Sequence, residues 1–412
     1  MRRVRVSSHQ SPVHKLGDSQ MKLSPKFRVA MTPSLSPRHS LLAPSVPEAP
    51  SDSTPLIPGL PDDVALNCLL RLPVETHVSC RLVCRRWRWL LANKECFFTH
   101  RKALGFSDPW LFTLAFHRCT GKIQWQVLDL THLSWHTIPA MPCRDRACPR
   151  GFGCIAIPPD GTLLVCGGLV SDMDCPLHLV LKYEIHRNRW TVMSRMLTAR
   201  SFFAGGVING RVYIAGGYST DQFELDSAEV LDPIKGNWQP IASMGMNMSS
   251  YDSAVLNERL YVTEGCVWPF VASPRGQVYD PKTNIWQPMS VGMREGWTGS
   301  GVVIFGHLFV ISEHERMRLK VYDRESDSWD TVEGSSTPER IHKPFSVASI
   351  GSKIVVVGRG LHVAIGEVES KGCCISGANT KKQKFSIRWQ EVGNVPSEFR
   401  DLTPSSTQVL YA

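Results

Sequence analysis

The stretch VYDPKTNIW, Val278 to Trp286, decides the fold, because its skeleton returns along the chain. An Asp is followed six residues later by a Trp in LDLTHLSW (Asp129, Trp135), LDPIKGNW (Asp232, Trp238), YDPKTNIW (Asp280, Trp286) and YDRESDSW (Asp323, Trp329). YEIHRNRW keeps the spacing with Glu184 ahead of Trp190. A spacing that survives while the residues inside it change marks a structural repeat, and the repeat has to be read before any site is sought.

Working outward, five hairpin patterns stand among these copies: GCIAIPPDGTLLVCGG, FAGGVINGRVYIAGG, YDSAVLNERLYVTEG, TGSGVVIFGHLFVIS and FSVASIGSKIVVVG. Each is an apolar run, a turn and a second apolar run, and Asn209-Gly210 is the dipeptide that tight hairpin turns prefer. A third strand ending in the acid and a fourth carrying the Trp follow each of the first four. The unit is thus four antiparallel strands with a period of 43 to 55 residues, measured from Trp135 through Trp190, Trp238 and Trp286 to Trp329. One such sheet cannot cover both its faces; sheets packed face to face around an axis can, which is a β-propeller. The Asp is expected to close the turn between third and fourth strands by accepting backbone hydrogen bonds, and the Trp to bury its face against the neighbouring blade. Gly167, Gly168, Gly216 and Gly217 end second strands, where a backbone conformation or a close approach excludes a Cβ.

Six blades are predicted. The first, beginning WLFTLAF, lacks a leading strand, and SSTQVLYA at the other end is a strand without partners; Gln408–Tyr411 placed beside the first blade would remove two open edges. The sixth blade keeps its hairpin and Trp389, and its polar insertion SKGCCISGANTKKQK is expected to be a loop.

The formal charge of +9 over 412 residues is unevenly spread. Residues 1–54 hold eight Lys/Arg against three acids, residues 55–104 eight against four, and residues 105–412 thirty against thirty. The large C-terminal part is balanced, which argues against a nucleic-acid surface there. The thirteen cysteines form no disulfide framework, no secretory signal is evident, and the longest apolar stretch, residues 301–311, is too short to span a bilayer. A reducing compartment, cytoplasmic and/or nuclear, is expected, without membrane insertion. The Ser/Pro-rich basic segment 1–54 reads as disordered, and its composition also fits organelle import.

Residues 55–104 read as a small helical module. Pro61 suits a first helical position ahead of Asp62 and Asp63, Pro73 stops the first helix, and a second is expected from about Glu75 to Leu91. So few residues make a poor independent core, so the module should complete its packing on something else.

Hairpin, Gly-Gly, Tyr/Leu-Asp and Trp at this period closely resemble kelch repeats over about residues 108–412, with Glu264-Gly265, Ser312-Glu313 and Gly358-Arg359 departing from Gly-Gly. The helical module, with Leu60-Pro61, Leu72-Pro73 and the Leu82–Trp87 run, resembles an F-box. The order is that of the F-box/kelch proteins of plants. What the resemblance implies is a substrate receptor of an SCF-type cullin–RING ubiquitin ligase: the F-box binds a Skp-type adaptor, the propeller binds the protein to be ubiquitylated, and no side chain performs chemistry. Leu60, Pro61, Val64, Leu69, Leu72, Pro73, Val83 and Trp87 are then candidate adaptor anchors, from which the module's own core must also be drawn. Arg150, Arg200, Arg294 and Arg340 precede first strands and either pair with acids of adjacent blades or gather on one rim to receive an acidic or phosphorylated segment, with Trp268 and Phe270, where exposed, as aromatic anchors.

Two alternatives are a binding scaffold without ligase activity and a metal-dependent small-molecule kelch enzyme. Cys143, Cys148, Cys154, Cys166, Cys175 and His178 contain no C-x-x-C pair, and neither a metal nor another cofactor is expected.

Overall fold

A computed structural model describes the chain from Pro55 to Tyr411, apart from residues 73, 93–96, 98, 106–107, 143–146, 159–160, 171–174, 222, 250–251, 266–272, 314–316, 376–380 and 394. The segment 1–54 lies outside the described residues.

Among the described residues four short helices come first: α1 (Asp62–Leu70), α2 (Val74–Cys80), α3 (Arg85–Ala92) and α4 (Thr99–Ala103). Pro61 caps α1 from outside the helix. The single second helix expected over 75–91 is instead two. The chain tightens after Cys80, where Leu82 N bonds Ser79 O and Val83 N bonds Cys80 O, and Cys84 Sγ then accepts Trp87 N at 3.4 Å as the cap of α3. Leu69, Leu70, Leu90, Leu91 and Phe97 form the module's core. Arg101, 3% exposed, donates to Leu70 O and Leu72 O at 2.7 Å each and so satisfies carbonyls left open where α1 ends.

Among the described residues twenty-five strands follow, mostly in antiparallel fours. The first set is β1 (Pro109–His117), β2 (Ile123–Asp129) and β3 (Ser134–Thr137), the second β4 (Ala147–Ile157), β5 (Thr162–Val170), the short β6 (Cys175–Pro176), β7 (Val180–Glu184) and β8 (Arg189–Val192). The third is β9 (Ala204–Ile208), β10 (Arg211–Ala215), β11 (Ala228–Asp232) and β12 (Asn237–Ile241); the fourth is β13 (Asp252–Leu256), β14 (Arg259–Thr263), β15 (Gly276–Asp280) and β16 (Ile285–Pro288). After α5 (Val291–Gly296) come β17 (Gly299–Ile304), β18 (His307–Ser312), β19 (Arg318–Asp323) and β20 (Ser328–Ser336). The last are β21 (Ser346–Ile350), β22 (Lys353–Val357), β23 (Val363–Ile375), β24 (Lys381–Val392) and β25 (Leu402–Tyr411).

β25 pairs antiparallel with β1 along its whole length, from Pro109↔Tyr411 to His117↔Leu402, and completes the first set. Strand pairing yields five sheets where the repeat predicts six separate ones, because β20 and β24 meet through one parallel bridge, Glu333↔Ser386. The inner strands β25, β4, β9, β13, β17 and β21 touch in that order and β21 touches β25, so they close a ring. The apolar core lies between adjacent sheets: Phe112 with Val165 at one joint, Leu128 with Val355 and Val409 at the joint that β25 closes.

The insertion expected to be a loop is mostly strand, with β23 and β24 in register from Val363↔Val392 to Ile375↔Lys381 across a bulge. Directly after the polar text comes Phe385, 5% exposed, whose ring meets Phe309 edge-on at 5.2 Å.

The repeated residues explain their own spacing. Asp129, Asp232, Asp280 and Asp323 each accept a backbone N–H two residues on, at 2.8, 3.0, 2.9 and 3.0 Å. Glu184, one methylene longer, instead pairs with Lys182 and Arg187 at 3.3 and 3.2 Å, over a 3-10 turn at Ile185–Arg187. The Trp side chains reach back to the preceding set: Trp190, Trp238, Trp286 and Trp329 Nε1 donate to the carbonyls of Pro139, Ser194, Ala242 and Gly292 at 2.7, 3.1, 2.7 and 2.9 Å.

Candidate functional site

The antiparallel order puts the loops between second and third strands, and those from each fourth strand to the next set, on one face; the remaining turns lie on the opposite face. α3 touches the Ile185–Arg187 turn, which belongs to the opposite face. The helical module and the loop face are therefore at different ends of the ring.

On the module, burial divides the expected anchors. Leu60 and Val64 are 37% and 42% exposed and Val83 is 62% exposed, with Pro61 exposed beside them. Leu69 is a correction: at 1% exposure it belongs to the core and has no surface to offer. Leu72 and Trp87 are half-buried against that core, and Trp87 Nε1 donates to Leu56 O at 2.7 Å. Pro73 lies outside the described residues. Leu82, 75% exposed, lies outward as well, which the sequence does not single out; its place in a short turn after α2, visible only once the long helix is broken, is what turns it outward. Asp62 and Arg86 form an ion pair that ties α1 to α3 beside this patch.

On the loop face the three described arginines differ in their exposure. Arg200 is fully buried, a second correction: its Nη2 meets Glu229 Oε1 at 2.7 Å and its Nη1 donates to Gly216 O and Ser227 O at 2.7 and 3.0 Å. Glu229 also accepts the backbone N–H of Leu197 and Thr198 at 2.8 and 3.0 Å, so the pair staples the chain entering β9 to the sheet. The glycine pairs sit at this joint and the next one. Gly167 and Gly216 have φ of +63° and +68°, and a Cβ on either would stand 2.3 Å from a carbonyl, Arg200 O or Met248 O. Arg294 lies half-buried on α5, Arg340 is exposed and 3.5 Å from Glu391, and the side chain of Arg150, like Trp268 and Phe270, falls outside the described residues.

What the face does hold is a mixed set of charges. Arg275 bonds Glu264 Oε1 at 2.6 Å and Glu224 Oε2 at 3.0 Å, joining two successive sheets where Glu264 replaces the usual glycine. These hydrogen bonds hold the Glu264 carboxyl below the usual carboxylate range. At the start of inner strand β13, Asp252 Oδ2 accepts Trp297 Nε1 at 3.0 Å and Gly301 N at 2.6 Å, and burial pushes its pKa up to about 7. Nothing in the sequence pattern singles out Asp252, because an Asp opening a strand reads as a turn residue. Among the described residues no group of three His, Cys, Asp or Glu converges to hold a metal.

Two family models match the chain, an F-box domain over residues 57–98 and a Kelch motif over residues 199–245. The chain is 56% identical to the Arabidopsis thaliana F-box/kelch-repeat protein At1g30090 over 414 aligned residues, covering 100% of both chains. It is 37% identical to the F-box protein AFR of the same plant over 88% of this chain and 95% of that one. The F-box/kelch-repeat protein At1g67480, also from Arabidopsis, is 36% identical over 46% of this chain and 50% of its own. The helices with their outward apolar patch and the ring of Asp-Trp sheets are thus the two halves of one architecture, and the chain belongs to the F-box/kelch-repeat family.

Proposed function

We propose that this protein is the substrate-recognition subunit of an SCF-type ubiquitin ligase, with a six-bladed propeller as its receptor domain. The observation that carries the reading is the set of apolar side chains left outside the helical module's core, Leu60, Val64, Leu82 and Val83. A domain this small has few apolar residues to spare, and an outward group of them marks a surface that a partner covers. A Skp-type adaptor is the partner that F-box domains take. The protein would then act by position, with the adaptor held at the module and a second protein held on the loop face, so that ubiquitin transfer gains from effective concentration.

The test is co-expression with a Skp-type adaptor followed by size-exclusion chromatography. Wild type is expected to co-elute with the adaptor, and Val64→Asp/Val83→Asp to lose it while keeping the wild-type melting temperature, since both positions are exposed. Retention of the adaptor by that variant, or failure of folded wild type to bind any of a panel of adaptors, would turn the reading toward a scaffold without ligase activity.

A further inference from the structure

Beyond the adaptor patch, the loop face carries an exposed aromatic patch on the third sheet. Between β10 and β11, Ser219 N donates to Phe223 O at 2.9 Å, and Tyr218 bridges to both Ser201 and Glu224. The loop is thus a small hairpin with Phe223 on it. The following sheet pins it in place: Arg275 Nη2 reaches both Glu224 oxygens at 3.1 and 3.0 Å, and Ser249 Oγ reaches Glu224 Oε1 at 3.2 Å. Phe223 is nevertheless 71% exposed. Phe202 stands on the other side of Tyr218, its ring edge-on to the tyrosine at 6.2 Å, 37% exposed and with φ of +51°. A bulky residue in the left-handed region is strained, and such strain persists where surrounding contacts impose it, here the bond from Phe202 N to Gly151 O at 3.2 Å. The aromatic pair is held in position, with Phe223 largely and Phe202 partly open to solvent.

The chain beside Phe223 carries negative charge. Asp221 and Asp226 flank Phe223 on the same hairpin, both exposed, and among the described residues neither carboxylate has a hydrogen-bond or ion-pair partner. The Arg275 cluster behind them joins one guanidinium to two carboxylates. An acidic or phosphorylated segment, which a rim of arginines would favour, meets repulsion here.

We propose that the surface formed by Tyr218, Asp221, Phe223 and Asp226, with Phe202 and Phe223 as anchors, docks a basic segment of a partner protein. An Arg or Lys of that segment lies over an aromatic face and against Asp221 or Asp226, and a neighbouring aliphatic side chain covers the other ring. The pinned loop requires little ordering on binding, which favours affinity. The inference names the class of substrate for the receptor reading above, and only the word substrate rests on that reading.

The experiment is selection from a displayed library of random dodecapeptides on the purified full chain, with Phe223→Ser and Asp221→Asn/Asp226→Asn as counter-targets. Arg or Lys beside Leu, Ile or Phe is the expected enrichment, with capture falling about tenfold on either variant. Enrichment of acidic peptides, capture unchanged on the variants, or no selection specific to wild type would each overturn the proposal. Adaptor binding is measured on the same preparations: its loss would sink the receptor reading and leave a peptide preference standing, and the reverse result would do the opposite.

Discussion

Burial of a single histidine makes the stability of the helical module depend on pH. His77 is 1% exposed, its Nε2 is 3.1 Å from Leu72 O, and its ring meets Phe97 edge-on at 5.6 Å. Burial, with the Arg101 guanidinium adding to it, pulls its pKa down to about 4 from 6.5. The unfolded chain therefore binds the proton more readily than the folded one between those values, so the stability is complete above pH 6.5 and is lost as pH falls toward 4. By this linkage the module should be about 2 kcal/mol less stable at pH 5 than at pH 7.5. Urea midpoints at the two pH values check it, and His77→Phe should flatten the difference; an unchanged slope in that variant would assign the effect to other groups. At this scale the sequence is least legible. Arg200 reads as a rim or a paired residue and Leu69 as an anchor or a core residue, and only Glu229, 29 residues away, and the packing of Leu91 and Phe97 with Leu69 decide between them. Separation along the chain of that order is invisible to local pattern.

Elements were more legible, because the repeat states the same physics several times. Tyr183 and Tyr279 donate their hydroxyls to Asn188 and Asn284 Oδ1 at 2.8 Å, and these asparagines take φ of +45° and +54° in the turn. Where Leu231 replaces the tyrosine, Gly236 takes the left-handed position and there is no side chain to bond. The two substitutions go together, and the sequence alone shows the pairing once the turn is understood. The Trp positions differ in a way the spacing does not show. Trp286 Nε1 bonds Ala242 O at 2.7 Å, whereas Trp135, at the joint closed by β25, buries its Nε1 without a hydrogen-bond partner among the described residues and meets Phe399 edge-on at 5.1 Å. Replacing each by Phe keeps the aromatic body and removes the N–H. Trp286→Phe should strand a carbonyl and cost about 1–2 kcal/mol more than Trp135→Phe. Equal losses in paired denaturation curves would show that the indole bond adds nothing to the packing. The long hairpin of β23 and β24 escaped the sequence reading for the converse reason: it matches no other copy, and its apolar anchors are few.

For the whole molecule the decisive contact is the one between its two most distant strands. β25 brings Leu410, fully buried, and Val409, 8% exposed, into the joints on either side of the first sheet, and covers the edge of β1 that would otherwise stand open. Closure was legible because a strand without partners at one end and a sheet lacking one at the other are complementary deficits; the bulge between Leu114 and Ala115 was not, since it depends on how the ring twists. Two losses separate if the strand is cut rather than trimmed. Leu410→Ala removes apolar contact but keeps the backbone ladder, and should lower stability by about 2–5 kcal/mol while leaving a monomer. A stop after Ser405 removes Ser406 to Ala412 and exposes the β1 edge as a template for other chains, so that chain should aggregate or elute at the void volume. If the shortened chain instead elutes as a monomer and melts with the Leu410→Ala variant, the burial of Leu410 accounts for the whole effect of the strand, and closure of the ring contributes nothing of its own.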